Sequence, residues 1–372
     1  MNILIIENTA DSLWKIRGNL FLRLLKLGAN ITICGPEIYH QKIYEYDEHG
    51  IKYFHLDADS QNINPFKEIK SLIRIRRQLL NLKPDAVIVI GMKFIPTCIL
   101  ASRFAKVPYL FSYINGVGNL FIQNTMKFKI VRFISFPMLK FAFFSSDLVF
   151  LQNQDDIDEL INRHLLSQEK TVLTDGSGVD MERYQPTPYP DQITFTYIGR
   201  ICSEKGILEF LEAAEIIKEV YPHIRFIVVG NIYRVDDIGF GEKKRCLLKN
   251  GIFEYYEAVE DVNEILDKTS VVVMPSYREG LSRVVIEGMA KKRPAIVSDV
   301  PGNRSAVEHK VNGLRIPVQD AKSLAIAMKY FIENEESIAI MGLKGYELCK
   351  SKFEVNKVNE KMVKKLWEVM NK

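Results

Sequence analysis

Residues 271–302 read VVVMPSYREGLSRVVIEGMAKKRPAIVSDVPG. The first four form an unbroken apolar run, AIVS at 295–298 forms a second, and between them Ser282 opens a stretch of helical period. An apolar run without alternation belongs to a strand covered on both faces, and two such strands joined through a helix lie parallel. Outward from this unit the pattern repeats. Runs at 194–198, 225–229 and, more weakly, 253–256 precede it, and six more stand at 2–7, 30–34, 51–56, 86–90, 108–113 and 148–152, with helical segments between. The chain is therefore α/β, with two doubly wound, Rossmann-like layers, and such sheets bind ligands beyond the carboxyl ends of their strands. Residues 184–192, YQPTPYPDQ, carry three prolines that forbid helix and favour an extended connector. The expected organisation is one domain over 1–185, a second over 186–352 and a terminal helix over 353–372 that packs back toward the first. Two sheets facing a central cleft would suit two substrates.

Composition agrees and excludes several classes. A length of 372 residues exceeds what one core usually fills, and 47% hydrophobic with 26% charged residues describes a globular chain. A net charge of +4 is too small over this length to mark a nucleic-acid partner. Five cysteines, none closer than 44 residues to the next, make neither a redox pair nor a zinc knuckle and read as reduced intracellular thiols. The amino-terminal apolar run starts at Ile3 with no basic region before it, so it reads as a strand and not a signal peptide. No stretch reaches the roughly 18 apolar residues of a spanning helix.

Candidate chemistry collects at strand ends. After the run at 271–274, Glu279 precedes the backbone amides of Gly280, Leu281 and Ser282, the unpaired donors of a helix start, able to hold a phosphate. Glu287 lies two turns along, within reach of a ribose. After the run at 194–198, Gly199, Arg200, Lys205 and Gly206 make a turn flanked by two cations, a planar fork and a point charge suited to a diphosphate. Gly230 ends the next run, where a missing side chain would let a nucleotide approach.

From GRICSEKG (199–206) through the Glu279 and Glu287 pair to VNGLRIP (311–317), the second half resembles the family 4 retaining glycosyltransferases, enzymes of the two-domain GT-B fold. The resemblance implies that Arg200 and Lys205 bind the donor diphosphate, that Glu279 with the amides of Gly280 and Leu281 holds the sugar, and that Glu287 holds the ribose of a UDP-sugar. Residues 90–121, IGMKFIPTCILASRFAKVPYLFSYINGVGNLF, are similar to bacterial enzymes that add N-acetylhexosamines to undecaprenyl-diphosphate-linked saccharides in surface-glycan or glycoprotein-glycan assembly. On that likeness Lys93, Asn115, Gly116 and Gly118 contact the acceptor, Lys93 acting beside Glu279, Arg200 and Lys205 in catalysis. Some relatives carry a His before that Lys, whereas Met92 stands here, so no such base operates. The family's Gly-rich turn after the first strand is absent, which leaves Asn8, Ser12 and Arg17 as contact candidates. No cofactor or metal is expected. Asp57 and Asp59 suggest a metal-binding pair, but the basic diphosphate site makes a cation redundant.

Between residues 86 and 146 there is no Asp or Glu, while seven Lys and Arg occur. Within that span MKFKIVRFISFPMLKFAFF (126–144) interleaves bases with aromatics, as a helix at an anionic membrane surface would, with Lys127, Lys129, Arg132, Phe133, Phe136 and Lys140 as membrane contacts. The leading expectation is a cytoplasmic enzyme held at the inner face of the membrane. A transferase with a soluble acceptor is the alternative. A nucleotide-dependent oxidoreductase is the other class with this fold, but neither first-strand turn contains G-x-G-x-x-G.

Overall fold

The computed structural model describes residues 1–7, 10–35, 40–56, 65–122, 125–232, 250–259 and 261–371. The chain divides into two compact units, Met1–Ser177 with Asn356–Lys372, and Gly178–Val355.

In the first unit, strands β1 (Asn2–Glu7), β2 (Asn30–Gly35), β3 (Lys52–His55), β4 (Ala86–Ile90), β5 (Tyr109–Ile114), β6 (Leu148–Leu151) and β7 (Thr171–Leu173) form a parallel sheet in the order β3-β2-β1-β4-β5-β6-β7. The order reverses between β1 and β4, the point at which doubly wound sheets take ligands. Helices α1 (Ala10–Lys26), α2 (His40–Asp47), α3 (Pro65–Leu82), α4 (Ile95–Phe104), α5 (Asn119–Ile122), α6 (Met126–Ser145) and α7 (Gln154–Asn162) connect them. AVIVI of β4 is buried throughout, as a strand sandwiched between helical layers must be. The final helix, Val355–Met370, belongs here too: Met362, Val363, Leu366 and Met370 enter the core formed with Ile3, Ile5, Leu20 and Phe21.

In the second unit, β8 (Thr194–Ile198), β9 (Arg225–Val229), β10 (Glu254–Tyr256), β11 (Val271–Met274), β12 (Ala295–Ser298) and β13 (Gly313–Ile316) pair in parallel in the order β10-β9-β8-β11-β12-β13, with helix α8 (Ile207–Val220) after β8. Here the reversal falls between β8 and β11. Strands β7 and β13, both at sheet edges, have no counterpart among the runs read from sequence. The proline-rich segment differs from its reading as a connector. It is extended, yet it is bound into the second unit. Tyr184 is buried, the Arg293 guanidinium donates to the Thr187 hydroxyl at 3.0 Å and the Pro188 carbonyl at 2.8 Å, and Thr187 donates to Asp267 at 2.6 Å.

Candidate functional site

The loops after β8 and β11 flank the reversal point of the second sheet, and the sequence ties them together. Gly206 ends a single 3-10 turn over Ser203–Lys205 with φ at +72°, and a Cβ there would lie 2.1 Å from the Pro275 carbonyl oxygen. Only glycine permits so close an approach. The Tyr277 amide then donates to the Glu204 carbonyl at 2.9 Å, and its hydroxyl donates to Glu209 Oε1 at 2.7 Å. Burial, with Glu209 alongside, pushes this phenol up to about 12, so it stays a proton donor. With the loops so fastened, Lys205 Nζ meets Glu279 Oε1 at 2.6 Å. Their side chains are only 20% and 10% exposed, so solvent screens the pair weakly.

Ser282 is the N-cap of the helix Arg283–Ala290 and makes no side-chain capping hydrogen bond. Glu287, buried one face inward, accepts from Tyr184 Oη at 3.1 Å and from Arg283 Nε at 2.7 Å, both on Oε1. Its Oε2 makes no hydrogen bond among the described residues. Arg200 is exposed, and its carbonyl accepts from the buried Tyr197 hydroxyl at 2.7 Å. Gly230, with φ at +151°, also has a structural requirement within the fold. A Cβ there would lie 1.8 Å from the Gly199 carbonyl oxygen, so the missing side chain admits the neighbouring loop.

In the first unit, Lys93 stands half-buried on the turn between β4 and α4, beside the reversal point. Asn115, Gly116 and Gly118 follow β5, with Asn115 and Gly118 exposed. Arg17 is placed otherwise than expected. It is 4% exposed, its guanidinium stacks 3.9 Å over the Tyr113 ring, and it donates to Asn115 Oδ1 at 3.1 Å, so it supports Asn115 from beneath. Asn8, Asp57 and Asp59 lie outside the described residues, as do the side chains of Ser12 and Lys127. On α6, Phe133 is 83% exposed and Lys129 and Lys140 face solvent, with Arg132 half-buried. Phe136 turns inward instead and stacks on Phe121 at 5.3 Å between centroids. The exposed face adds Met126, Ile130, Ile134, Phe141 and Phe144. Among the described residues no helix is long and apolar enough to cross a membrane.

Sequence reading missed Tyr277, Tyr184, Arg283 and Gln152. The first three lie within or beside the motifs already singled out, and Gln152 follows a strand end, where polar residues warrant inspection.

Residues 180–348 match the family Glycosyl transferases group 1. The chain is similar to the N,N'-diacetylbacillosaminyl-diphospho-undecaprenol alpha-1,3-N-acetylgalactosaminyltransferase of Campylobacter jejuni, 24% identical over 356 residues and 90% of each chain. It is similar also to the UDP-Gal:alpha-D-GlcNAc-diphosphoundecaprenol alpha-1,3-galactosyltransferase of Escherichia coli, 26% identical over 299 residues and 76% of each. Among solved structures, that of Anabaena HepE in complex with UDP superposes with a TM-score of 0.76 at 16% identity, over 99% of this chain and 100% of that one. At this identity the likeness is one of fold.

Proposed function

We propose that this chain, which has the GT-B fold and whose residues 180–348 match the family Glycosyl transferases group 1, is a glycosyltransferase that moves an N-acetylhexosamine or related sugar from a UDP-sugar to an undecaprenyl-diphosphate-linked saccharide, with retention of anomeric configuration. The observation that carries this reading is the Lys205–Glu279 pair at 2.6 Å, a cation and a carboxylate brought side by side where the second sheet reverses. A donor with a diphosphate and a hydroxylated sugar offers each a partner. Lys205 and Arg200 take the diphosphate oxygens. Glu279 accepts from sugar hydroxyls, the amides at Gly280, Leu281 and Ser282 hold the adjoining phosphate, and Glu287 Oε2 accepts from the ribose.

In this mechanism the bond between the anomeric carbon and the phosphate oxygen breaks as the acceptor hydroxyl forms its bond on the same side. The hydroxyl proton passes to the departing diphosphate, so no protein nucleophile is needed. Stabilising the negative charge that develops on that diphosphate is the largest contribution asked of the protein, and Lys205, held by Glu279, supplies it together with Arg200 and without a metal. The acceptor is held by the first unit, Lys93 pairing with its diphosphate and the Gly116 to Gly118 loop lying beside it. Both similar enzymes are named for undecaprenol-diphosphate acceptors, which supports this choice. Incubating the protein with a panel of UDP-sugars and a short-chain prenyl diphosphate sugar tests it, the product being read by mass spectrometry. Activity is expected to persist in EDTA, and complete loss restored by manganese or magnesium would overturn the metal-free mechanism.

A lipid-linked acceptor cannot leave the bilayer, so the enzyme goes to it. The exposed apolar and basic side chains of α6 support peripheral docking at an anionic surface, the inner face of the cytoplasmic membrane. Each cation near such a surface contributes about 1 kcal/mol. Reversing Lys127, Lys129 and Arg132 to Glu is expected to abolish binding to acidic liposomes while transfer to a water-soluble acceptor analogue continues. Liposome binding that survives the reversal would sink the docking surface.

A further inference from the structure

At the carboxyl edge of the first sheet, the ends of β5, β6 and β7 and helix α1 carry a hydrogen-bonded chain whose direction is fixed by chemistry. The Thr174 hydroxyl lies 3.0 Å from the Leu151 carbonyl and 3.1 Å from the Tyr113 hydroxyl, where either oxygen can donate. The Gly176 carbonyl, 2.9 Å from the same phenol, only accepts. Tyr113 has one proton, which goes to that carbonyl, and it presents a lone pair to Gln152. The Gln152 atom facing it at 3.5 Å is therefore the amide nitrogen, and this Nε2 donates to Asn115 Oδ1 at 3.3 Å. Arg17, which can only donate, reaches the same Oδ1 at 3.1 Å. Two donors converge on one carboxamide oxygen, so the Asn115 amide is locked with its oxygen inward and its NH2 outward. Asn115 is exposed, and Nδ2 makes no hydrogen bond among the described residues.

We infer that Asn115 Nδ2 reads a carbonyl oxygen of the acceptor, that of an acetamido group on the sugar next to the diphosphate, and that Arg17 and Gln152 are positioning residues that hold Nδ2 outward. The inference rests on the acceptor reading given above. A neutral amide donor suits a neutral carbonyl, whereas a phosphate oxygen calls for a cation, which Lys93 supplies on the turn after the adjacent strand β4. The names of both similar enzymes specify an N-acetylated sugar on the acceptor diphosphate.

The test compares N-acetylglucosamine with glucose, each joined to a short-chain prenyl diphosphate, for the wild-type protein, Asn115→Asp and Gln152→Leu, with UDP-galactose or UDP-N-acetylgalactosamine as donor. Asp keeps the oxygens that Arg17 and Gln152 bind but has no proton to give outward. Its KM for the acetamido acceptor should rise about tenfold or more, and the wild-type preference for that acceptor over its glucose counterpart should vanish, because a site built around a hydrogen bond discriminates through it. Gln152→Leu should raise the same KM severalfold, since a carboxamide held by Arg17 alone flips part of the time. Donor KM and melting temperature should hold in both variants, whereas general loosening of the fold would move both. An acceptor KM within twofold of wild type in Asn115→Asp, or an unchanged preference, overturns the inference and leaves the acceptor reading intact. Equal KM increases for both acceptors would assign Asn115 to the shared diphosphate and overturn the carbonyl. If the wild-type protein binds UDP yet transfers to neither acceptor, the acceptor reading fails and this inference with it.

Discussion

Lys205→Ala is expected to lower kcat/KM for the UDP-sugar roughly 10²- to 10³-fold, the loss that follows removal of one preorganised group facing a developing negative charge. The side chain contacts Glu279 at 2.6 Å and is largely shielded from water, so its ammonium is already desolvated and held before the donor arrives. A charge-assisted contact of this kind contributes about 1.5 to 3 kcal/mol, and in the proposed mechanism it strengthens as the diphosphate departs. Lys205→Arg should retain part of the rate, because charge survives while the planar fork fits the narrow Gly206 turn poorly. UDP affinity by calorimetry, measured with the melting temperature, separates lost binding from lost fold. A kcat/KM within threefold of wild type in a folded Lys205→Ala protein would remove Lys205 from the donor site.

The placement of Lys205 and Glu279 was legible because ligand edges follow from strand ends, and the strand ends follow from runs such as VVVM and AVIVI. Those runs are buried on both faces, so nothing but apolar residues survives in them. Strands β7 and β13 escaped for the complementary reason. TVL and GLRI lie at sheet edges, where one side has no partner strand, and edge strands are short and admit Gly and Arg. Gly230 carries a structural requirement that its own run does not show, since its neighbour is the Gly199 carbonyl, a contact between loops 31 residues apart along the chain. Likewise the outward amide of Asn115 depends on Arg17, Tyr113 and Gln152 together. No local pattern encodes an orientation that Tyr113 nearby and two distant segments impose together.

The proline-rich segment was read as a connector from its own composition, and the residue that overrides that composition lies a hundred positions on. Arg293 is wholly buried, and burial holds its guanidinium below the usual arginine value. It donates to the Leu266 carbonyl at 3.2 Å, to the Pro188 carbonyl at 2.8 Å and to the Thr187 hydroxyl at 3.0 Å, and it lies 4.5 Å over the Tyr189 ring. Arg293→Leu removes three hydrogen bonds to a charged donor, at about 0.5 to 1.5 kcal/mol each, although the Leu266 carbonyl keeps its bond from the Thr269 amide at 3.2 Å and Pro188 is exposed to water, and it removes the stack on Tyr189. One opposing contribution exists, because Nη1 is buried without a hydrogen bond and its removal is favourable. The net expectation is a loss of about 2 to 4 kcal/mol, seen as a lower urea midpoint for the second unit. Arg293→Lys should recover little, since an ammonium cannot donate in three directions within one plane. Arg293 precedes β12, at the amino end of the sheet and opposite the loops that carry Lys205 and Glu279. UDP affinity of the folded variant should therefore match wild type. A midpoint that does not move would show that the prolines alone hold the segment extended, and a fall in UDP affinity below the unfolding range would mean that the segment is coupled to the donor site.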